Sequence, residues 1–404
     1  MTPLPSLKDE AWLNDPALKH VFAAIRRAGG EARVAGGAVR NALLGEAVYE
    51  IDLATTLPPD EVMAAAKAAK LGAHPTGIEH GTVTLVANRR PFEVTTLRRD
   101  VETFGRKARV AFTDDWTEDA MRRDFTMNAL YCSSEGEIFD PAKGYADIMR
   151  KRIRFVGDPA QRIKEDFLRI LRFFRFHARY GVGAPDRAGL AACLKLKGGL
   201  KKLSAERIRQ EVLKLLVAKR AAETVLLMAE CHLLKVIIPH QRDLKPLSRM
   251  AKIDAREGLQ ADALLRLALI AKDPASLRDR LKLTNAEAGR LAAIDAHMTP
   301  SPKLREAECR VVLYQMGVQA WRDAIRIAWA KSTSSKGWSE LYRLADEWAV
   351  PVFPVKGQDL ISRGMKAGPA IGETLTRLED WWVASGFKPS KDEILDHFEK
   401  KVRS

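Results

Sequence analysis

Runs of β-branched and apolar residues able to build strands are confined to residues 32–156, and after Asp158-Pro159 they nearly vanish. A chain divided in this way cannot close one continuous sheet. It reads as an α+β N-terminal part with a small mixed sheet, followed by an all-α remainder.

Within 32–156, Ala32–Ala35 is a short apolar run ending in Gly36-Gly37, and Val39–Leu44 reads as a helix closed by Gly45. Tyr49–Ala54 is an expected strand, and Pro59–Leu71 an expected helix with Gly72 at its end. Thr82–Ala87 and Phe92–Leu97, joined by Asn88-Arg89-Arg90-Pro91, read as a hairpin; Ala129–Cys132 and Ile138–Asp140 read as a second. Downstream, Arg162–Tyr180, Ser204–Ala218 and Ala221–Val236 have helical spacing, with Ser204 at an N-cap position before Glu206. Helices broken by Pro, Gly and Asn continue through 255–404, whose role is inferred only from position. Boundaries are expected near 157, 225 and 350, giving segments 1–157, 158–225, 226–350 and 351–404.

Charge narrows the partner. Lys and Arg number 67 against 52 Asp and Glu, a net charge of +15, which points to a polyanion. No apolar stretch is long enough for a membrane span, and the first residues, with Asp9 and Glu10, lack the apolar core of a signal peptide. Cys132, Cys193, Cys231 and Cys309 are scattered without metal spacing, so a reducing, cytoplasmic setting is expected.

Four elements carry chemistry. Gly36-Gly37-Ala38-Val39-Arg40 is either a plain strand-to-helix turn or a phosphate cradle, where glycines admit a ligand to the backbone and Arg40 adds charge. Glu50-Ile51-Asp52 is either a solvated strand face or two carboxylates on one face, suited to Mg²⁺; Glu93, from a neighbouring run, is a third candidate acid. In Arg122-Arg123-Asp124-Phe125-Thr126-Met127-Asn128, the arginines can clamp phosphates while Asp124 and Asn128 bond sugar hydroxyls. Asp166, Arg169, Arg172 and Arg175, spaced by three, form a stripe on one helix. That stripe is a basic face with an i,i+3 ion pair, or it selects bases. A carboxylate only accepts and a guanidinium only donates, which suits the amino group and ring nitrogen of cytosine and adenine and mismatches uracil and guanine.

In this order the elements resemble the class II CCA-adding enzyme and bacterial poly(A) polymerase family. The resemblance rests on GGAVRNALLG (36–45), EIDLATT (50–56), GIEHGTVT (77–84), FEVTTLR (92–98), RRDFTMNALY (122–131), IKEDFLRILRFFRF (163–176) and LSAERIRQEVLKLL (203–216). It implies a nucleotidyltransferase head of the DNA polymerase β type, then helical neck, body and tail. It implies Mg²⁺ in a two-metal site, and attack of an RNA 3′-hydroxyl on the α-phosphate of CTP or ATP. Carried over, Gly36, Gly37 and Arg40 contact the triphosphate, and Glu50 and Asp52 hold metal with Glu93 beside them. Arg123 and Asp124 bind nucleotide, Asp166 and Arg169 read the base, and Arg172 and Arg175 are further nucleotide-binding arginines. The stretch 99–116, with Arg99, Arg106, Lys107 and Arg109, corresponds to a flexible loop that helps the switch from C to A addition.

Two departures stand out. Glu50 occupies a metal position usually held by Asp, and Asn41 follows Arg40 where many relatives have Asp. No His is followed by Asp, so a fused HD phosphohydrolase module is not indicated. The expected activity is CCA addition to the acceptor end of tRNA. The alternatives are poly(A) addition, partial CC or A addition, and an RNA-binding protein that has lost catalysis at Glu50.

Overall fold

The computed structural model describes residues 4–104, 107–296 and 300–402. The chain forms two compact units, residues 1–239 and 240–404. Among the described residues no helix is long and apolar enough to cross a membrane, and the four cysteines are free thiols.

The first unit opens with α1 (Pro16–Arg27). Asp15 caps it, accepting from the Ala17 backbone N–H at 2.7 Å, and Leu18, Val21, Phe22 and Ile25 form its buried face. The sheet follows: β1 (Ala32–Ala35), α2 (Gly37–Leu43), β2 (Asp52–Thr55), α3 (Pro59–Ala68), β3 (Gly72–Gly77), β4 (Thr82–Ala87) and β5 (Arg90–Thr96). A two-stranded ribbon, β6 (Arg98–Phe104) and β7 (Lys107–Phe112), leads to α4 (Trp116–Met121), β8 (Tyr131–Cys132), β9 (Ile138–Phe139) and α5 (Gly144–Met149).

The seven-stranded sheet has the order β3-β4-β5-β2-β1-β8-β9, with β2 central and β2–β5 parallel among antiparallel neighbours. In β4 the alternate residues Val83, Leu85 and Ala87 are buried, the mark of a strand with one face on the core, and α1 and α3 pack there. The expected β4–β5 hairpin is present. Its turn is Asn88-Arg89, both at positive φ, closed by Ala87 opposite Arg90, the geometry that matches strand twist.

Several boundaries differ from the sequence reading. The strand expected over Tyr49–Ala54 begins only at Asp52, so Glu50 lies on the preceding loop. The helix expected to Leu71 stops at Ala68; Lys70 turns at φ 58°, and Gly72 belongs to β3. The stretch expected as a loop over 99–116 contains the β6–β7 ribbon. There Arg99 lies 3.7 Å from Glu118. Arg106, and the side chains of Lys107 and Arg109, lie outside the described residues.

The single helix expected over Arg162–Tyr180 is two, α6 (Pro159–Glu165) and α7 (Leu168–Tyr180). Asp166 breaks it at φ −151°, ψ 107°, and its Oδ1 accepts from the Leu168 backbone N–H at 3.1 Å. A short acid bonding its own backbone competes with helix continuation. Next come α8 (Arg187–Leu196), α9 (Ala205–Leu216), α10 (Ala221–Glu230) and α11 (Leu234–Ile237). Ser204 does precede α9, but its side chain makes no capping bond. The boundary expected near 225 falls inside α10, which packs on α7 and stays with the first unit. Phe125, Phe155, Phe173 and Phe176 form a buried ring cluster with centroids 4.9–6.4 Å apart, tying the end of the sheet region to α7.

In the second unit, helices Lys245–Glu257, Ala263–Ile270 and Val318–Lys331 enclose Asp254, Arg266 and Arg326. A separate apolar cluster of Leu360, Leu378, Trp382, Ile394 and Phe398 joins its last helices.

Candidate active site

Gly36, Gly37, Arg40, Glu50, Asp52, Arg123, Asp124, Asp166, Arg169 and Arg172 line one open cleft of about 540 Å³, together with Ala35, Arg122, Asn128 and Phe176. Residues from the sheet, the loop before β2, the α4–β8 connection and α7 therefore meet at one place. Glu93 and Arg175 are not in this lining.

The glycine turn is built for close approach. Gly36 sits at φ 64°, and a Cβ there would lie 3.1 Å from Arg123 Nη1 and 3.3 Å from the Asn128 carbonyl oxygen. A Cβ on Gly37 would meet only Arg40 Nη2, at 3.8 Å, so that side of the turn is open to a ligand.

Asp52 leaves the sheet at the cleft, with Ile51 buried between it and Glu50. Parallel pairing of β2 and β5 sets Asp52 opposite Glu93, on the same face of the sheet. Burial raises the Asp52 pKa, and the charges of Glu93 and Glu50 raise it further. A cation beside Asp52 would relieve that repulsion. Among the described residues no three His, Cys, Asp or Glu side chains are close enough to hold a metal alone. Glu50 and Asp52, both on the cleft, match an ion that keeps waters and takes substrate phosphates as its other ligands, as Mg²⁺ does.

A polar chain crosses the cleft wall. Arg172 donates to Asp124 Oδ2 through Nε (2.7 Å) and Nη2 (2.6 Å). Asp124 Oδ1 accepts from the Phe125 backbone N–H (2.8 Å) and Asn128 Nδ2 (3.0 Å). Asn128 Oδ1 accepts from Arg40 Nη1 at 2.6 Å, and Asn41 Oδ1 accepts from Arg40 Nη2 (2.8 Å) and Nε (3.2 Å). Asp124 and Asn128 thus brace arginines, and their bonding is largely taken up, unlike the sugar-binding role expected. Burial raises the Asp124 pKa, but Arg172 and Asn128 outweigh it and hold the carboxyl below its ordinary value. Asn41, where an acid was expected in relatives, keeps both contacts to Arg40 without a charge. Arg40 is buried, its guanidinium 4.5 Å from the Tyr180 ring centroid, and desolvation lowers its pKa. Its direct hydrogen-bond partners here are amides, so its charge remains available to an anion.

Asp119 was missed by the sequence reading. It accepts from Arg122 Nε (2.8 Å), Arg123 Nη2 (3.0 Å) and the Tyr131 hydroxyl (2.6 Å). Burial works against its ionisation, yet Arg123, Arg122 and Tyr131 together bring its pKa to about 2. Its spacing of three and four from the two arginines, which follow the end of α4, was the available signal.

Asp166 and Arg169 both reach the cleft, but not as partners of each other. Asp166 Oδ2 accepts from Arg207 Nη2 at 2.6 Å. Arg169 donates through Nη1 to Glu165 Oε2 (2.5 Å) and the Arg162 carbonyl (2.9 Å), and through Nη2 to the Arg122 carbonyl (3.2 Å). The acceptor and the donor are therefore held separately, and the i,i+3 ion pair of the simpler reading is replaced by these bonds. Arg175 turns from the cleft to Glu211 Oε2 at 2.5 Å, with its guanidinium 4.5 Å from the Phe176 ring centroid. Arg207 and Glu211, four apart on α9, were legible only as one helix face.

A mixed sheet, a glycine turn, two acids and an Asp and an Arg meeting on one cleft define a nucleotidyltransferase. Residues 32–154 match the family described as Poly A polymerase head domain, and residues 186–244 match the probable RNA and SrmB-binding site of polymerase A. Among its relatives, the mitochondrial CCA tRNA nucleotidyltransferase 1 of Mus musculus is 35% identical, over 92% of this chain and 87% of its own. The CCA-adding enzyme of Limosilactobacillus fermentum is 33% identical, over 90% of this chain and 91% of its own. The solved CCA-adding enzyme of Bacillus stearothermophilus, in complex with CTP, superposes with a TM-score of 0.74 at 28% identity, covering 96% and 99% of the two chains. The chain belongs to the CCA tRNA nucleotidyltransferase family.

Proposed function

We propose that this protein adds C, C and A to the 3′ end of tRNA, using CTP and ATP and releasing pyrophosphate. The observation that carries the reading is the convergence of the Gly36-Gly37 turn, Glu50 and Asp52, and Asp166 and Arg169 on one cleft. The relatives' names and the CTP bound to the Bacillus enzyme support the same reaction over poly(A) addition.

The RNA 3′-oxygen forms a bond to the α-phosphorus while the bond from that phosphorus to the bridging oxygen of the β-phosphate breaks. Backbone at Gly36-Gly37 admits the triphosphate, and Arg40, held by amides, meets its charge. Asp166, steadied by Arg207, accepts from the base amino group, and Arg169, steadied by Glu165, donates to the ring nitrogen. Arg172 and Arg123 are fixed by Asp124 and Asp119 and line the nucleotide's wall. Mg²⁺ held by Glu50 and Asp52, with Glu93 behind, would neutralise phosphate charge and ease loss of the 3′-hydroxyl proton. The four free thiols support a cytoplasmic, reducing site of action.

A tRNA transcript ending at the discriminator base, incubated with Mg²⁺ and labelled CTP, ATP or both, tests the reading at single-nucleotide resolution. Two additions with CTP alone and a stop at three with both are expected. A long ladder with ATP alone would establish poly(A) addition instead. Binding without extension would establish an RNA-binding protein.

A further inference from the structure

The loop joining α2 to β2 carries a side chain that the reaction as described does not use. Tyr49 is 86% exposed, and among the described residues no hydrogen bond, ion pair or ring contact engages it. The loop around it is fastened on both sides. Asn41 Nδ2 donates to the Ala47 carbonyl at 3.3 Å, Glu46 lies 3.4 Å from Arg179 Nη2, and Ile51 is 7% exposed. A bare aromatic ring on a tethered loop is a surface already ordered for a partner. Its neighbour Glu50 lines the cleft, one Cα step of about 3.8 Å away.

We infer that Tyr49 is the stacking platform for the 3′-terminal base of the acceptor RNA. The inference rests on the nucleotidyl-transfer reading. In-line transfer places the attacking 3′-oxygen beside Glu50 and Asp52, across the α-phosphate from the departing pyrophosphate. That puts the last nucleotide of the RNA within a side chain's reach of the loop that carries Glu50, and so of its neighbour Tyr49, which is not itself part of the cleft lining. That nucleotide changes at each step: the discriminator base first, then C, then C again. Hydrogen-bond readout of one base edge would reject the others. A π-face accepts them all, because every base has one. Asp166 and Arg169 choose the incoming base, and Tyr49 holds the outgoing one without choosing.

Steady-state kinetics on the full chain separate the roles. Tyr49→Ala is expected to raise the KM for tRNA about ten-fold at each of the three additions. The KM for CTP and kcat are expected to stay within about two-fold, and Tyr49→Phe to behave as wild type. A transcript with 2-aminopurine as its terminal base is expected to lose fluorescence on binding the wild type and Tyr49→Phe, and to keep it with Tyr49→Ala. The inference is overturned by an unchanged KM for tRNA, by a change confined to kcat or to CTP, which would mean that Glu50 was displaced, or by Tyr49→Phe behaving like Tyr49→Ala. Quenching is read without turnover, so an inactive wild type would count against the assigned reaction and leave the stacking result standing.

Discussion

Both units bury arginines, and they satisfy them differently. In the second unit Asp254, itself buried, accepts from Arg266 Nη2 at 2.9 Å and from Arg326 Nη2 at 2.6 Å. Arg290 likewise bridges Asp323 and Asp262, each at 2.7 Å. In the cleft Arg40 is just as buried, but the groups bonded to it are the amides of Asn41 and Asn128. Arg266 and Arg326, away from the cleft, have their charge matched by a buried carboxylate and serve stability. Arg40 has its geometry fixed by amides with no carboxylate bonded to it, although Asp124 and Glu46 act on it from further away. It is placed to serve an anion that arrives later.

The largest effect expected is at the acids of the cleft. Asp52→Asn should lower kcat by about 10³-fold or more while leaving thermal unfolding unchanged, as single-turnover assays and calorimetry would check. Loss of fold together with activity would break the division between the units. The converse substitution is Asp254→Ala, which removes the buried carboxylate shared by Arg266 and Arg326. It should destabilise the protein by about 3–5 kcal/mol in denaturant titration, with per-molecule activity retained below the transition. Arg40→Met sharpens the contrast. It should raise the KM for CTP and ATP by up to about 100-fold, yet change stability by only about 1–2 kcal/mol, less than Asp254→Ala, since it leaves an amide oxygen and not a buried charge unpaired. A large drop in melting temperature would place Arg40 with the structural arginines.

His177 offers a third solution, since it is buried without taking a charge. Burial, then Arg220, depresses its pKa to about 4. The unfolded chain protonates it near 6.5, so between about pH 6.5 and 4 the unfolded state binds the extra proton and stability falls as pH is lowered. The loss should reach about 2 kcal/mol near pH 4.5 and be absent from His177→Leu, measured as urea midpoints across that range. Equal slopes in both proteins would remove His177 as the cause.

What was legible in the sequence follows the same division. Alternation in Thr82–Ala87 and the glycines at 36–37 mark local structure, and both stand where the pattern put them. The strand Gly72–Gly77 carries His, Pro and two glycines, and it exists because β4 pairs with it. Residues 162–180 read as unbroken helix, because the bond that stops it at Asp166 depends on one side chain turning back on its own backbone. The cleft's residue types could be read from motifs. Of their braces, Asp119 and Glu165 lie three or four residues from the arginines they hold, but Arg207 reaches Asp166 from another helix, which spacing alone does not name.

The parallel pairing of β2 with β5 also bears on synthesis. Parallel neighbours need a crossover, here α3, β3 and β4, so Asp52 meets Glu93 only after the intervening chain has folded. Asp166 and Arg169, further along the chain, emerge later still. A nascent chain that ends before β5 therefore lacks Glu93, Asp166 and Arg169, and on the reaction proposed above it is expected to transfer no nucleotide.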